Sequence, residues 1–564
     1  MLQLTALICT ALFLTGCGEG EGDDRALITT PPEKTGTAEV TTTDLQAIID
    51  SHIDAGAKRI VIPPGRYHLE ARRGTHLLFS DLSDIEIIAE NVEIVGTSTI
   101  RAIRFENCTN LTLRGLTIDY DPLPFTQGEI IAMAPDKSWI DFKIADGYPE
   151  NRLQPPFQIY NPATGTLRRG DARWNQKIEA LGESRYRIRK AERYRFAPDQ
   201  DTEQIGDIVV GKNFAGRPGS PHAIELRGCK GMRFEDITIY ASSSFGFLER
   251  HCEATTYLRC VIDRRPPEDD PVPRAMPRMR SLNADAFHSK DATIGPAILS
   301  CTARFQGDDA VNINGRYHFV RRTSGNQVHI AIIDRNATIR EGDAVEFLPY
   351  SGPRPPDAKV VRRQPDPKHF TADEKNFIRR LRMDQRMKST LLEGSVQYFI
   401  LTLDREVSLP PGSAIACSER LGNGFSVKDC DFSETRSRGI LIKASNGEIR
   451  GNRIHNTRMH AILVSPESWW MEAGMSSNLV IEGNHIQGCL QTPIQIHAHG
   501  GNREILPAGA LRDISILNNR IEDSAWPLIH VTSTTGLTID GNILPASGPD
   551  PSIPPIVLEQ CETQ

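Results

Sequence analysis

Ser426-Val427-Lys428-Asp429-Cys430-Asp431-Phe432 is matched 22 residues later by Glu448-Ile449-Arg450-Gly451-Asn452-Arg453-Ile454. At the same offset, Arg438-Gly439-Ile440-Leu441-Ile442-Lys443 is matched by His460-Ala461-Ile462-Leu463-Val464-Ser465. Each unit holds strands of only a few residues separated by polar turns. Asn452, Asn484, Asn519 and Asn542 mark successive coils, the first two intervals being lengthened to 32 and 35 residues by loops. Asn tolerates the left-handed backbone conformation that such turns demand. Repeats of this length, with short strands and Asn/Gly turns, predict an all-β chain folded as a right-handed parallel β-helix. An immunoglobulin-like sandwich would alternate hairpins without a fixed offset and is set aside.

Similar short strands extend toward the N-terminus, including Val92-Glu93-Ile94-Val95, Leu111-Thr112-Leu113, Met232-Arg233-Phe234 and Ile237-Thr238-Ile239. Ahead of them, Asp44 to Gly56 reads as an amphipathic helix with Leu45, Ile48, Ile49 and Ile53 on one stripe and Asp44 as N-cap. A helix here suits the exposed first coil of a solenoid, which needs a cover. From Phe125 to Gly219 and from Tyr317 to Ser418 the repeat vanishes, and longer alternating strands such as Trp139-Ile140-Asp141-Phe142-Lys143-Ile144 replace it. Both stretches are read as inserted antiparallel β-barrel-like domains. Within the second, Thr371 to Arg382 is predicted to be a helix opened by a Thr371/Glu374 capping box. The expected order is therefore 1–16 signal peptide, 17–43 tether, 44–124 helix-capped solenoid, 125–219 first insertion, 220–316 solenoid, 317–418 second insertion and 419–564 closing solenoid.

The 564 residues are 39% hydrophobic and 24% charged, which fits an ordered repeat protein. A formal charge of −7 argues against a general nucleic-acid binder. Leu2 to Leu14 is an apolar run too short to cross a bilayer, ending in Leu14-Thr15-Gly16-Cys17, which resembles a bacterial lipobox. Cys17 is thus expected to carry lipid and to tether the chain to the cell envelope, at the outer membrane because Gly18 rather than Asp follows it. Cysteines recur in similar settings at 108, 229, 252, 301 and 489, which predicts stacked, mostly reduced thiols inside the coils. No Cys/His spacing reads as a zinc site, and neither a metal nor a cofactor is expected.

The chemistry is expected at Asn283-Ala284-Asp285-Ala286-Phe287-His288-Ser289 and Gln306-Gly307-Asp308-Asp309-Ala310-Val311-Asn312. Asp285 and Asp308 are 23 residues apart, about one coil, so strand stacking brings their carboxylates to roughly 4.8 Å steps. Carboxylates held together raise one another's pKa, and a pair of them flanking a glycosidic bond supplies the acid and base for its hydrolysis. A Ca²⁺ site, with Asn312 or Asn314 adding oxygens, and ordinary solvated turn residues are the competing readings.

The spacing of Asn-x-Asp, then Asp-Asp, then Arg438-x-x-x-x-Lys443 is similar to the polygalacturonase-type β-helix glycosidases, whose Gly-His-Gly element is missing here. Gly115-Leu116-Thr117-Ile118-Asp119-Tyr120-Asp121-Pro122-Leu123-Pro124-Phe125-Thr126-Gln127-Gly128 and the segment Arg436 to Asn452 more closely resemble glycoside hydrolase family 110, the exo-acting α-1,3-galactosidases. That resemblance runs from about Asp44 to the C-terminus. It implies release of terminal α-1,3-linked galactose from a glycan with inversion, Asp308 acting as general acid and Asp285 and Asp309, singly or together, as general base. Inversion further implies acid and base roughly 6.5–9.5 Å apart; a closest separation near 5 Å for every pair would count against it.

Further substrate contacts are expected from His288, Arg316, Arg438 and Lys443, each with structural pairing as the alternative. The loop Pro466-Glu467-Ser468-Trp469-Trp470 adds Glu467 and two tryptophans suited to stacking on a sugar face, or to burial under the loop. Another β-helix carbohydrate enzyme (a lyase or epimerase) and a non-catalytic glycan-binding β-helix remain alternatives. The two insertions offer surface for a homo-oligomer.

Overall fold

A computed structural model describes residues 39–40, 44–150, 152–168, 178–189, 203–213, 221–394 and 396–563. The expected signal and tether, with Cys17, lie outside the described residues apart from 39–40. From Glu39 to Gln564 the chain forms one compact unit.

Its frame is the expected parallel β-helix. One column of parallel strands runs through Phe247–Arg250, Phe287–Lys290, Val311–Arg316, Ile440–Ile442, Ile462–Val464 and Ile494–Ile496. Two further columns, through Ser426–Lys428 with Gly447–Arg450 and through Asp431–Ser433 with Arg453–His455, complete each coil. Side chains alternate across the sheet. Phe287, Val311, Ile440 and Ile462 therefore stack inward in register, while His288, Asn312, Leu441 and Leu463 stack outward. The inward residues are almost completely buried. At about 25 cal/mol per Å² of apolar surface removed from water, this continuous column is the main stabilising term.

The helix Leu45–Asp54 covers the first coils, with Asp44 accepting a hydrogen bond from the Ala47 backbone N–H. Leu45 and Ile49 are its buried residues. The described cysteines are all free, and all but half-buried Cys561 are buried, as the recurrence of their settings suggested. The asparagines behave differently from expectation. Positive φ is found at Gly451, Gly483, Asn518 and Gly541, each one residue before the ladder position. Asn452, Asn484 and Asn519 are buried, and each side chain bonds to the next coil: the Asn452 and Asn484 Nδ2 groups donate to Asn484 and Asn519 Oδ1 at 2.9 Å. Their role is amide pairing inside the solenoid, with glycine or a second Asn making the turn.

The two insertions also differ from one another. Residues 318–417 contain a closed barrel formed by His318–Ser324, Gln327–Ile332, Ala344–Leu348, Ala358–Pro365, Gln397–Leu403 and Ala414–Cys417. It holds its own core, including Val328, Ile330, Val345 and Leu401. The expected helix spans Ala372–Arg380 with the Thr371/Glu374 capping box, and a second, unanticipated helix follows at Gln385–Glu393. The described residues of the first insertion form an antiparallel sheet of seven strands, with Thr166–Leu167 and Ile178–Gly182 at its two edges. Phe125, Ile130, Ile140, Phe142 and Phe157 on this sheet join the solenoid's own core cluster.

Candidate active site

Asp285 and Asp309 occupy the position two residues before the strands Phe287–Lys290 and Val311–Arg316. The register Phe287↔Val311 makes them partners across the sheet, and the Ala286 N–H donates to the Asp309 carbonyl at 3.0 Å. The coil is thus 24 residues here, and Asp285 stacks on Asp309 instead of Asp308. By the same register the next partner of Asp309 is Arg438. Asp308 lies one residue earlier, on the more open side. Its side chain is 36% exposed, against 6% for Asp285 and 2% for Asp309. All three nonetheless meet, with one oxygen of each within 4.8 Å of the others. This is shorter than the separation expected of an inverting pair, and by that criterion the geometry counts against the inverting assignment.

The surroundings fix each carboxylate differently. Asp309 accepts from the Arg438 backbone N–H at 2.9 Å and from the Arg438 guanidinium on both oxygens, at 2.8 and 2.9 Å. Arg438 also donates to Glu467 at 2.8 Å. Burial opposes its charge, but Asp309 and Glu467 keep the guanidinium firmly cationic. Asp308 is held more loosely, by Arg436 at 3.3 Å. Asp285 Oδ2 lies 2.7 Å from His288 Nδ1, and Asn314 Nδ2 lies 3.2 Å from His288 Nε2. Burial pulls His288 down to about 3, so the imidazole is neutral. With Asn314 donating to Nε2, the remaining proton sits on Nδ1 and points at Asp285. Burial, followed by the Asp308 and Asp309 charges, pushes the Asp285 carboxyl well above the usual carboxylate range. The raised carboxyl foreseen from clustering is therefore Asp285, the enclosed member.

Three oxygens at this spacing also fit a cation in outline. Both oxygens of Asp309 are taken by Arg438 and one of Asp285 is taken by His288, while Arg436 and Arg438 bring positive charge. A divalent ion needs free, anionic oxygens, and few remain. One water suits the site better, since hydrogen bonds of ~2.8 Å from a single centre reach three oxygens up to ~4.8 Å apart.

A cavity of about 510 Å³ opens over the carboxylates. Its walls include the expected His288, Arg438, Glu467, Trp469 and Trp470. The tryptophans are half-buried, leaving part of each ring available. Two expectations change. Lys443 does not line the cavity; its side chain is 0% exposed beneath it, bonded to Glu467 and Glu472 at 2.9 Å each. It is a buried counter-ion for carboxylates that would otherwise repel, and holds Glu472 below the usual carboxylate range against the opposing effect of burial. Arg316 lies beyond the cavity, opposite Glu472 on the antiparallel pair that extends the strand, because it sits four residues further along that strand than Asn312.

Several wall residues were not foreseen. Phe245 is stacked between His222 and His288, with ring centroids at 4.8 and 4.6 Å. Arg386 comes from the second insertion and lies 5.1 Å from the Trp470 ring. Outside the wall itself, Lys212 of the first insertion is within electrostatic reach of Asp308; burial and nearby arginines bring it down to about 8. Glu472, Met459 and Arg436 complete the wall. No local motif marks residues that reach a site from insertions 73 to 101 residues away from the aspartates in the chain.

Residues 414–548 match the family model described as right handed beta helix region. Alpha-1,3-galactosidase A from two strains of Bacteroides fragilis is 19% and 20% identical, the alignments covering 89% of this chain and 84% of each relative. Among solved structures, the chain is similar to the mannuronan C-5 epimerase AlgE4 A-module of Azotobacter vinelandii (TM-score 0.36, 10% identity, 94% of this chain and 96% of that one). It is also similar to an exopolygalacturonase from Thermotoga maritima (TM-score 0.35, 12% identity, 88% and 86%). The resemblance read from residues 115–128 and 436–452 thus extends along most of the chain as a distant likeness to alpha-1,3-galactosidases on a right-handed β-helix.

Proposed function

We propose that this carbohydrate-active β-helix enzyme is a glycoside hydrolase that releases terminal α-1,3-linked galactose from the non-reducing end of glycans. The observation that carries the proposal is the meeting of Asp285, Asp308 and Asp309 in a cavity whose wall includes Phe245, Trp469 and Trp470. The likeness to alpha-1,3-galactosidase A supports the sugar and the linkage.

Asp308, the most exposed of the three, is the general acid: it protonates the glycosidic oxygen as the C1–O bond breaks. A water held between Asp285 and Asp309 attacks C1. Asp309, clamped by Arg438, orients the water, and Asp285, once its own proton has passed to the neighbouring Asp308 that acts as acid, takes the proton of the water. Trp469, Trp470 and Phe245 give the apolar face of galactose a surface to pack on. A second reading is favoured only by the approach of the carboxylate oxygens to within 4.8 Å of one another: double displacement through a glycosyl-enzyme, which retains configuration. A panel of terminal α-galactosides, with the first-formed anomer followed by NMR, tests both. Cleavage of α-1,3-galactosides with β-galactose appearing first supports single displacement; α-galactose first supports the second reading; no cleavage of any α-galactoside rejects the proposal.

Lipid attachment at Cys17 and an envelope location belong to the same proposal, supported by the Leu14-Thr15-Gly16-Cys17 sequence. Labelled palmitate should enter the parent chain and not Cys17→Ala; equal labelling of both rejects it.

A further inference from the structure

Past the aspartate cavity, the same outward row of side chains turns cationic. Arg227, Arg250, Lys290 and Asn314 are register partners, two residues beyond Glu225, Leu248, His288 and Asn312. Two residues along a strand keep the same face and advance ~6.6 Å. Here a second cavity, of about 650 Å³, is lined by Arg227, Arg250, Asp291, Asp334, Arg340 and Arg420 among others.

Most of these charges are already satisfied. Arg227 pairs with Glu225, Arg420 with Asp343, and Asp334 accepts from the Asn336 backbone N–H at 3.0 Å. Asp291 is buried, and burial raises its carboxyl above the ordinary range, which reduces the negative charge it contributes. Arg250 stands apart. It is half-buried, and its Nε is buried with no hydrogen-bond partner among the described residues. Arg316, close enough to act on Arg250, Lys290 and Asp291, has its Nε in the same condition. Arg340 is exposed at the rim. A buried N–H without an acceptor carries the full cost of its lost water. The planar guanidinium fork matches an oxyanion, which would relieve that cost at Arg250, the one of the two that lines the cavity.

We propose that this cavity is an oxyanion-binding site centred on Arg250, taking the sulfate ester or carboxylate of an acidic glycan or the same anion free in solution. It stands independently of the galactosidase reading.

The test is calorimetric titration of the full chain with sodium sulfate against sodium chloride at matched ionic strength, with thermal unfolding in the same buffers. Saturable sulfate binding and a rise in Tm beyond the chloride control are expected. Arg250→Gln should weaken sulfate binding about tenfold or more, a factor corresponding to one charged contact. Arg340→Gln, at an exposed position where folding is not at stake, should weaken it several-fold, while Asp308→Asn should leave it unchanged. A sulfated galactan oligosaccharide that binds more tightly than both its desulfated form and inorganic sulfate identifies glycan as the source. Equal binding of inorganic sulfate and the sulfated oligosaccharide identifies the free anion. Absence of saturable sulfate-specific binding, or its full retention in both arginine variants, overturns the proposal.

Discussion

Two stacks in this molecule use the same geometry for opposite ends. Asn452, Asn484, Asn519 and Asn542 repeat one coil apart inside the solenoid, each amide donating to the next. Asp285, Asp309 and Arg438 repeat one coil apart on its outer side, where two carboxylates meet before a guanidinium compensates them. An amide is its own complement, so the first stack is satisfied at every step and its addition stabilises the coil. Carboxylates are not, so the second requires Arg438 and, for the adjoining Asp308, Arg436 as counter-charges and still leaves Asp285 with a strongly raised proton affinity. Repetition of a self-complementary group builds the frame; repetition of a repelling one is retained for chemistry.

The comparison can be broken first on the catalytic side. Asp285→Asn should lower kcat/KM on an α-1,3-galactoside by roughly 10²–10⁴ without loss of fold, as a general base does. Circular dichroism and Tm of the variant check the second half. Arg438→Ala should act in both respects, because it leaves Asp309 buried without its cation and Glu467 with Lys443 alone. A destabilisation of about 3–5 kcal/mol in denaturant unfolding is expected. On the frame side, Asn484→Ala removes a bond to Ile449 O and one to Asn519, and orphans the Asn452 backbone N–H, while Asn452 Nδ2 keeps its bond to Val427 O. The cost should be about 1–3 kcal/mol for each group left unpaired, with kcat of the folded fraction unchanged.

The pH dependence sharpens the contrast. The folded Asp285 carboxyl titrates above its unfolded value, so the folded state binds the extra proton. The stability this gives is fully present below the unfolded pKa and is lost as pH rises through the folded one. Parent Tm should therefore fall over that window relative to Asp285→Asn, whereas Asn484→Ala should track the parent. Smallest of all, Trp469→Ala or Trp470→Ala should raise KM several-fold with little change in kcat, since stacking holds the sugar equally before and during reaction.

Much of this was legible in the sequence where the coils are regular. The offset of 22 between Ser426–Lys428 and Glu448–Arg450 is the observed strand register, because no loop intervenes. At the active site the count between aspartates, 23, missed the strand register of 24 by one residue, enough to exchange Asp308 for Asp309 as the partner of Asp285. The carboxylate trio, His288, Arg438, Glu467 and the two tryptophans could be named because local motifs carry them. Phe245, Lys212 and Arg386 could not, since they reach the site from a separate coil and from the two insertions. Lys443 was legible as a residue but not in its depth: burial depends on the loop Pro466 to Met471 folding over it, which no spacing reveals.

The most direct test of the central claim is Asp308→Asn assayed on two substrates, an α-1,3-linked galactobiose and an aryl α-galactoside whose phenolate leaves without protonation. If Asp308 is the acid, cleavage of the disaccharide should fall by roughly 10²–10⁴ while the aryl glycoside loses far less. Near-parent cleavage of the disaccharide, or an equal loss on both substrates, would contradict it.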